Sequence, residues 1–141
     1  MRKINEIIVH CSATPEGKDF TAKDIDSWHK QQGFDCIGYH YVIDLDGTIE
    51  LGRPLSQEGA HCKSGGHNRN SIGICYIGGC KDGRNVDTRT PAQRKALQKL
   101  ISELVATFHC DVWGHHDFNP GKDCPCFDAH AEYHYLYSRL T

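Results

Sequence analysis

The stretch Ile4-Asn5-Glu6-Ile7-Ile8-Val9-His10 predicts the first strand of a buried sheet. Its adjacent β-branched residues form a short apolar run, which is typical of a strand covered on both faces. A histidine at the end of such a strand is most often a core residue whose hydrogen bonds are satisfied. Because side chains alternate along a strand, His10 and Cys11 should point to opposite faces and should not share one binding site.

The rest of the chain alternates between predicted strands and helices. Thr21 should begin a helix, with Asp24 as an acidic partner in a capping box, and Gly33 should end that helix. The dipeptide Asp46-Gly47 predicts a hairpin turn. Residues 80–89 are polar and are expected to form a surface excursion. Further strands are predicted over residues 37–44, 48–51, 71–77 and 111–114, and further helices after Thr90 and Asp128.

The helix after Thr90 has the clearest pattern. Thr90 is suited to the N-cap and Pro91 to the first helical position. One face of this helix is apolar, through Leu97, Leu100, Ile101, Leu104, Val105 and Phe108, and the final helix has Tyr133, Leu136, Tyr137 and Leu140 on one side. The element order predicts an α/β fold: a single domain over residues 1–141 with a central mixed β-sheet flanked by helices.

Composition excludes several classes of function. The net charge of −2 gives no electrostatic footprint for nucleic acid. No apolar stretch approaches the roughly 20 residues that span a bilayer, so we expect no membrane insertion. The first residues lack the pattern of a signal peptide, so we expect cytoplasmic accumulation and reduced thiols rather than disulfides for the eight cysteines. We also expect a monomer.

Metal-ligating residue types cluster near the end of the chain. Gly114-His115-His116-Asp117 is followed by Lys122-Asp123-Cys124-Pro125. Together with His10, one imidazole and one thiolate from this cluster would make three protein ligands, which leaves a zinc ion an open position for water. The residues alone leave Cys126 as a rival of Cys124. They also leave Asp117 either as an acceptor for a ligand imidazole or as a loop cap.

Two further segments carry candidate site residues. Gly38-Tyr39-His40-Tyr41 places Tyr39 on the strand predicted over residues 37–44, with Tyr41 on the same face as a core residue. The loop over residues 59–70 is rich in glycine and histidine, and loops of this kind carry function more often than core packing.

The sequence resembles the zinc N-acetylmuramoyl-L-alanine amidases, which include amidase-type phage lysozymes and catalytic peptidoglycan-recognition proteins. The resemblance runs along nearly the whole chain. It is carried by Val9-His10-Cys11-Ser12-Ala13-Thr14, Trp28-His29-Lys30, Gly38-Tyr39-His40-Tyr41, Asp46-Gly47-Thr48 with Gly52-Arg53, Gly59-Ala60-His61, Asn70-Ser71-Ile72-Gly73-Ile74, Thr90-Pro91-Ala92-Gln93, and His115-His116 with Lys122, Cys124, Pro125, Phe127 and Asp128.

The resemblance implies a role for each candidate residue. It implies that His10, His115 and Cys124 bind Zn²⁺, that Tyr39 and Lys122 are catalytic, and that peptidoglycan or a muropeptide is the substrate. Lys63 is then expected to meet a stem-peptide carboxylate, and His61 and Asn70 to bind sugar or peptide. The chemistry agrees, because amide hydrolysis needs an activated water and a cation such as Lys122 beside the oxyanion.

The sequence is also compatible with two other functions. One is a peptidoglycan-binding module without turnover, although such binders of this fold lack the zinc-binding cysteine that stands here as Cys124. The other is a regulator that binds another protein, since some phage relatives also bind RNA polymerase. The enzyme is the favoured reading because Cys124 is present.

Overall fold

The computed structural model describes residues 1–140, which form a mixed five-stranded sheet, a smaller three-stranded sheet and surrounding helices. The strands are β1 (Glu6–Cys11), β2 (Thr14–Pro15), β3 (Tyr41–Ile43), β4 (Ile49–Leu51), β5 (Ser71–Tyr76), β6 (Gly79–Lys81), β7 (Arg84–Asn85) and β8 (Asp111–Gly114). The helices are α1 (Ala22–Gln31), a 3-10 helix (Ser64–Asn70), α2 (Pro91–Phe108), α3 (His115–Phe118) and α4 (Ala129–Ser138). The predicted α/β fold is confirmed.

Strand β1 lies inside the large sheet, whose order is β4-β3-β5-β1-β8. It pairs in parallel with β5 on one side and with β8 on the other. Strands β3 and β5 are also parallel, whereas β3 and β4 form the antiparallel hairpin predicted around Asp46-Gly47. The parallel register brings the carboxyl ends of β1 and β8 to one edge of the sheet, where the loops that follow them can meet.

The two faces of the sheet are covered by different helices. Helices α2 and α4 pack on one face, where Leu97 and Ile101 are fully buried against Ile7, Val9 and other strand residues. Burial of each such side chain contributes roughly 1.5–3 kcal/mol. Helix α1 covers the other face through Ile25. His10 alternates with Val9 and Cys11, so its side chain lies on the α1 face, as the sequence predicts.

The predicted helix starts are confirmed. The Thr90 hydroxyl accepts a hydrogen bond from the Gln93 backbone N–H, and the Asp128 carboxylate accepts one from that of Ala131. At α1 the Thr21 backbone N–H donates to the Asp24 carboxylate over 2.8 Å. These contacts satisfy N–H groups that have no partner within the first turn of a helix.

The strand predicted over residues 37–44 is shorter than expected, since only Tyr41–Ile43 is a strand. Before it, the Gly38 and Tyr39 carbonyls accept hydrogen bonds from the Ala60 and Arg53 N–H groups, which belong to loops rather than to a neighbouring strand. The alternation of side chains between the two faces of the sheet therefore does not extend from β3 back to Tyr39. Tyr39 packs on the α1 side and Tyr41 on the α2 side, so the prediction that they share a face is wrong.

Residues 80–89 are more ordered than a surface excursion. They contain the β6–β7 hairpin and end at Arg89, whose side chain is 1% exposed. Its guanidinium donates to the carboxylates of Asp87 and Glu132 and lies 3.4 Å from the centre of the Phe127 ring. The polar composition of this segment predicted an exposed arginine. Composition cannot indicate that the side chain is buried, because its burial depends on the partners that the fold brings to it. At the other end of the chain, Leu140 is exposed rather than packed.

Arg89→Ala is expected to lower the free energy of unfolding by about 3 kcal/mol, because it leaves two carboxylates without the cation buried between them. Urea unfolding of the metal-free protein measures this difference. Arg94→Ala is the matched control: Arg94 also contacts Asp87, but its side chain is 51% exposed, so we expect a loss below about 1 kcal/mol. Equal losses in the two variants would contradict a special role for the buried arginine.

Candidate metal centre and substrate cavity

His10, His115 and Cys124 come together at the carboxyl edge of the large sheet. Each offers a ligand atom within 4.8 Å of those of the other two. His10 is near the end of β1 and His115 directly follows β8, so the parallel pairing of these strands places both imidazoles side by side, with ring centroids 4.6 Å apart. These residues are far apart in the sequence, but the register of the sheet places them next to each other in space.

The loop after α3 returns Cys124 to this edge. The His116 backbone N–H donates to the Cys124 carbonyl over 2.8 Å, and the Tyr76 hydroxyl donates to the Pro125 carbonyl over 2.7 Å. The Cys11 backbone N–H points at the Cys124 sulfur over 3.2 Å. This contact holds the sulfur beside the end of β1, where His10 lies.

The geometry decides between the alternatives that the sequence left open for His116, Asp117 and Cys126. His116 turns away, since its Nδ1 contacts the Lys122 carbonyl at 2.8 Å. The Asp117 carboxylate accepts from the Gly114 N–H, so Asp117 is a cap of the short helix α3. Cys126 lies on the other side of its loop, with its sulfur 3.9 Å from that of Cys11. Of the two candidate cysteines, the one in the His–His–Cys group is therefore Cys124.

His61 lies behind His10 and holds its ring. His10 Nε2 and His61 Nδ1 are 2.8 Å apart, which leaves His10 Nδ1 as the nitrogen available to a metal. His61 Nε2 contacts the Ser71 hydroxyl at 3.2 Å, and a side chain at Gly73 would meet the His61 ring at 2.6 Å. Burial lowers the pKa of both His10 and His61 well below 6.5, so both rings are neutral at neutral pH.

Tyr39 stands next to this group, with its ring centroid 5.1 Å from that of His10. Burial raises the pKa of its hydroxyl well above 10, and the nearby Cys75 and Cys124 sulfurs add to the shift. Tyr39 is therefore a neutral phenol at neutral pH. It can donate a hydrogen bond or pass on a proton, but it does not act as a phenolate.

An open cavity of about 500 Å³ adjoins the His–His–Cys group. Two exposed lysines, Lys63 and Lys122, contribute to its lining. The positive charge of Lys122 is close enough to His115 to lower the pKa of that imidazole, after burial, which is the larger cause. The remaining lining residues are His29, Gln32, Phe34, Tyr39, Ala60, His61, Cys62, Ser64, Asn68, His115 and Asn119.

One predicted site residue lies elsewhere. Asn70 ends the 3-10 helix and its carbonyl accepts from the Asn5 N–H, so it belongs to the junction with β5 and is not among the residues that line this cavity within the described chain. Asn68 lies there instead, although its side-chain oxygen is taken up by the N–H groups of His61 and Cys62. The loop composition did not indicate the 3-10 helix over Ser64–Asn70, which separates Asn70 from the lining residues.

His29 is a cavity residue that the sequence analysis did not single out as functional. Its Nδ1 accepts a hydrogen bond from the Gly38 N–H over 2.9 Å, and its ring lies 5.5 Å from that of Tyr39. Its place in Trp28-His29-Lys30, one of the segments that carry the family resemblance, was the available signal. A histidine on the polar side of a short helix is otherwise unremarkable.

Comparison with known proteins places this site in a family. The model of the N-acetylmuramoyl-L-alanine amidase family, Amidase_2, matches residues 1–127. The endolysin of Enterobacteria phage T3 is 44% identical over 124 residues, which cover 86% of this chain and 80% of the phage protein.

Two solved structures extend the similarity. The N-acetylmuramoyl-L-alanine amidase LysC from Clostridium intestinale matches with a TM-score of 0.78 at 30% identity, over 99% of this chain and 86% of that one. The peptidoglycan recognition protein LCa–LCx ectodomain complex, solved with tracheal cytotoxin bound, matches with a TM-score of 0.74 at 27% identity, over 94% of this chain and 81% of that one.

The fold and the site define an α/β enzyme with a candidate His–His–Cys metal centre beside an open cavity. The chain belongs to the N-acetylmuramoyl-L-alanine amidase family. Its activity is hydrolysis of the amide bond between N-acetylmuramic acid and L-alanine in peptidoglycan, so the predicted family and activity are confirmed. Within residues 1–140, no helix is long and apolar enough to cross a membrane.

Proposed function

We propose that this amidase depends on a zinc ion held by His10, His115 and Cys124. The observation that carries the proposal is that their ligand atoms lie within 4.8 Å of one another, beside the cavity that His115 lines. Two imidazoles and one thiolate are a donor set that zinc favours, and three protein ligands leave one position for water or substrate. Because the two imidazoles are neutral and the thiolate carries one negative charge, the zinc centre would have a net charge near +1.

The surroundings of the three residues fit a metal. His61 fixes the orientation of the His10 ring, and the Cys11 N–H contacts the Cys124 sulfur. The low pKa of His10 keeps its ring neutral and able to ligate. When bound, zinc would polarise the scissile carbonyl and lower the pKa of the attacking water to about 7.

Lys122 and Tyr39 supply the remaining chemistry in this proposal. Lys122 extends from the cavity wall near His115, where its ammonium group can stabilise the negative charge that develops on the carbonyl oxygen. Tyr39, a neutral phenol beside His10, donates a hydrogen bond to the attacking water or relays its proton to the leaving amine. The amine leaves as the free N-terminus of L-alanine.

Lys63 is proposed to bind the substrate rather than to take part in the reaction. It lines the same cavity as Lys122 but belongs to the loop before the 3-10 helix. Stem peptides carry carboxylates, so an exposed lysine at this wall can select a muropeptide by charge. His61 is proposed to act mainly through His10, because its buried ring is occupied by His10 and Ser71.

Mass spectrometry of purified peptidoglycan incubated with the protein, with and without a chelator, tests the zinc dependence. We expect release of stem peptides with a free L-alanine N-terminus. We expect the chelator to stop that release because, in this proposal, activation of the attacking water depends on the zinc ion. Restoring zinc should restore release. Undiminished release from the chelated protein, verified to be metal-free, would sink the proposal.

The other expectations rest on the same enzyme. We propose that residues 1–141 form one amidase domain, that the protein acts as a monomer on peptidoglycan or muropeptides, and that it accumulates in the cytoplasm before reaching the wall. A binding module without turnover is the alternative. It would leave glycan and peptide intact in the experiment above while the protein still sediments with the wall.

A further inference from the structure

A second group of metal-ligating side chains lies where α4 packs against β8. It consists of Asp111, at the start of β8, and His130 and His134, which are one helical turn apart on α4. Each of the three offers a ligand atom within 4.8 Å of those of the other two. The group shares no residue with the His–His–Cys centre. We propose that it is a second metal site, which takes a divalent transition metal such as Zn²⁺, Ni²⁺ or Cu²⁺.

The distances suit a small ion with nitrogen and oxygen ligands. His134 Nδ1 lies 2.8 Å from one Asp111 carboxylate oxygen, and His130 Nδ1 lies 3.7 Å from the other. Ligand atoms about 2.1 Å from a tetrahedral ion are about 3.4 Å apart, between these two values. Small side-chain rotations would complete the set, with His130 Nδ1 exchanging its contact to the Val112 carbonyl for the ion. Imidazole ligands favour zinc, copper and nickel over magnesium and calcium.

Packing holds the ligands in place before any ion arrives. The His130 ring stacks on Trp113 with centroids 3.9 Å apart and planes 5° apart. Its Nδ1 also contacts the Val112 carbonyl at 2.8 Å. The Asp111 side chain is 15% exposed, and the side chains of His130 and His134 are 31% and 45% exposed. The group is thus ordered by its neighbours and still open to solvent, so an ion can enter and retain water ligands.

The competing reading is that these side chains only hold α4 against the last strand of the sheet by hydrogen bonds. A hydrogen bond needs one donor and one acceptor, and the His134–Asp111 pair already supplies them. The His130–Val112 hydrogen bond accounts for the second ring in the same way. These two bonds do not require both rings to lie beside one carboxylate with their centroids 4.7 Å apart, which is the arrangement that a metal ion uses. An ion requires three ligand atoms close to one another, as they are here.

His134→Asn separates the two readings. An asparagine amide can place an N–H near the position of Nδ1 and keep the hydrogen bond to Asp111, but it is a poor transition-metal ligand. His109→Asn is the matched control, because His109 is exposed and lies outside the group. The backbone of His109 has the left-handed conformation, which asparagine tolerates. Asp111→Asn is a second variant that removes the carboxylate charge.

The experiment uses the full chain with Cys124→Ser as background, so that loss of the proposed active-site zinc cannot be mistaken for a result here. Bound nickel is measured by equilibrium dialysis against NiCl₂, and the thermal midpoint is measured with and without the metal. We expect His134→Asn and Asp111→Asn to weaken nickel binding by about tenfold or more and to remove the metal-induced rise in midpoint. His109→Asn should change neither.

Equal nickel binding and equal thermal shifts with and without His134→Asn would overturn the second site. So would a failure of the Cys124→Ser protein to bind nickel at all. Neither result bears on the amidase proposal, which is judged by chelation of the wild-type protein and by its reaction products.

Discussion

Cys124→Ser is expected to remove zinc from the amidase and to lower its activity by at least about 10³-fold. A serine hydroxyl stays protonated at neutral pH and cannot replace a cysteine thiolate as a zinc ligand. Several kcal/mol of carbonyl polarisation and water activation depend on the metal, and each 1.4 kcal/mol is worth about tenfold in rate. Zinc per chain and the rate of stem-peptide release measure the two losses together.

Cys126→Ser is the matched control for this prediction. Cys126 is two residues further along the same loop, but its sulfur faces Cys11 and the Gly79 carbonyl, away from the two imidazoles. We therefore expect the Cys126→Ser protein to keep its zinc and most of its activity. Zinc loss in Cys126→Ser combined with zinc retention in Cys124→Ser would show that the other cysteine is the ligand.

Lys122→Ala is expected to keep zinc and to lower kcat by about 10²–10³-fold. Lys122 is not a ligand, and its ammonium group acts on charge that develops only in the transition state, so its removal should affect turnover more than binding. Because Lys122 is exposed on the cavity wall, we expect its removal to leave the thermal midpoint unchanged. Three measurements test this prediction. Zinc content tests the metal site, the thermal midpoint tests the fold, and steady-state kinetics on a soluble muropeptide test the loss of kcat.

Lys63→Ala provides the comparison within the same cavity. Lys63 has the same charge and also lines the wall, but we propose that it contacts a stem-peptide carboxylate that does not react. Its loss should raise KM while leaving kcat within about threefold, because binding shared by ground and transition states changes KM alone. If the kinetic effects of Lys63→Ala and Lys122→Ala were exchanged, the assigned roles would have to be exchanged as well.

Local patterns in the sequence were enough to predict most elements of the fold. The β-branched run before His10, the Thr90–Pro91 helix start and the Asp46-Gly47 turn each depend on contacts between near neighbours in the chain. The strand predicted over residues 37–44 was too long because the backbone of Gly38 and Tyr39 is engaged by loops that follow much later. No pattern within the segment could indicate those partners.

The sequence by itself determined the family, the α/β fold and the residue types for the site, because motifs and periodicity depend on the order of residues. Only the tertiary structure decided that Asn70 lies away from the cavity and that His61 holds His10. It also placed Cys124, the cysteine that the family resemblance implies, beside the two histidines. It also brought Asp111 to His130 and His134. The physical reason is that a site is defined by distances of a few ångströms between distant parts of the chain, and the sheet register and loop returns set those distances.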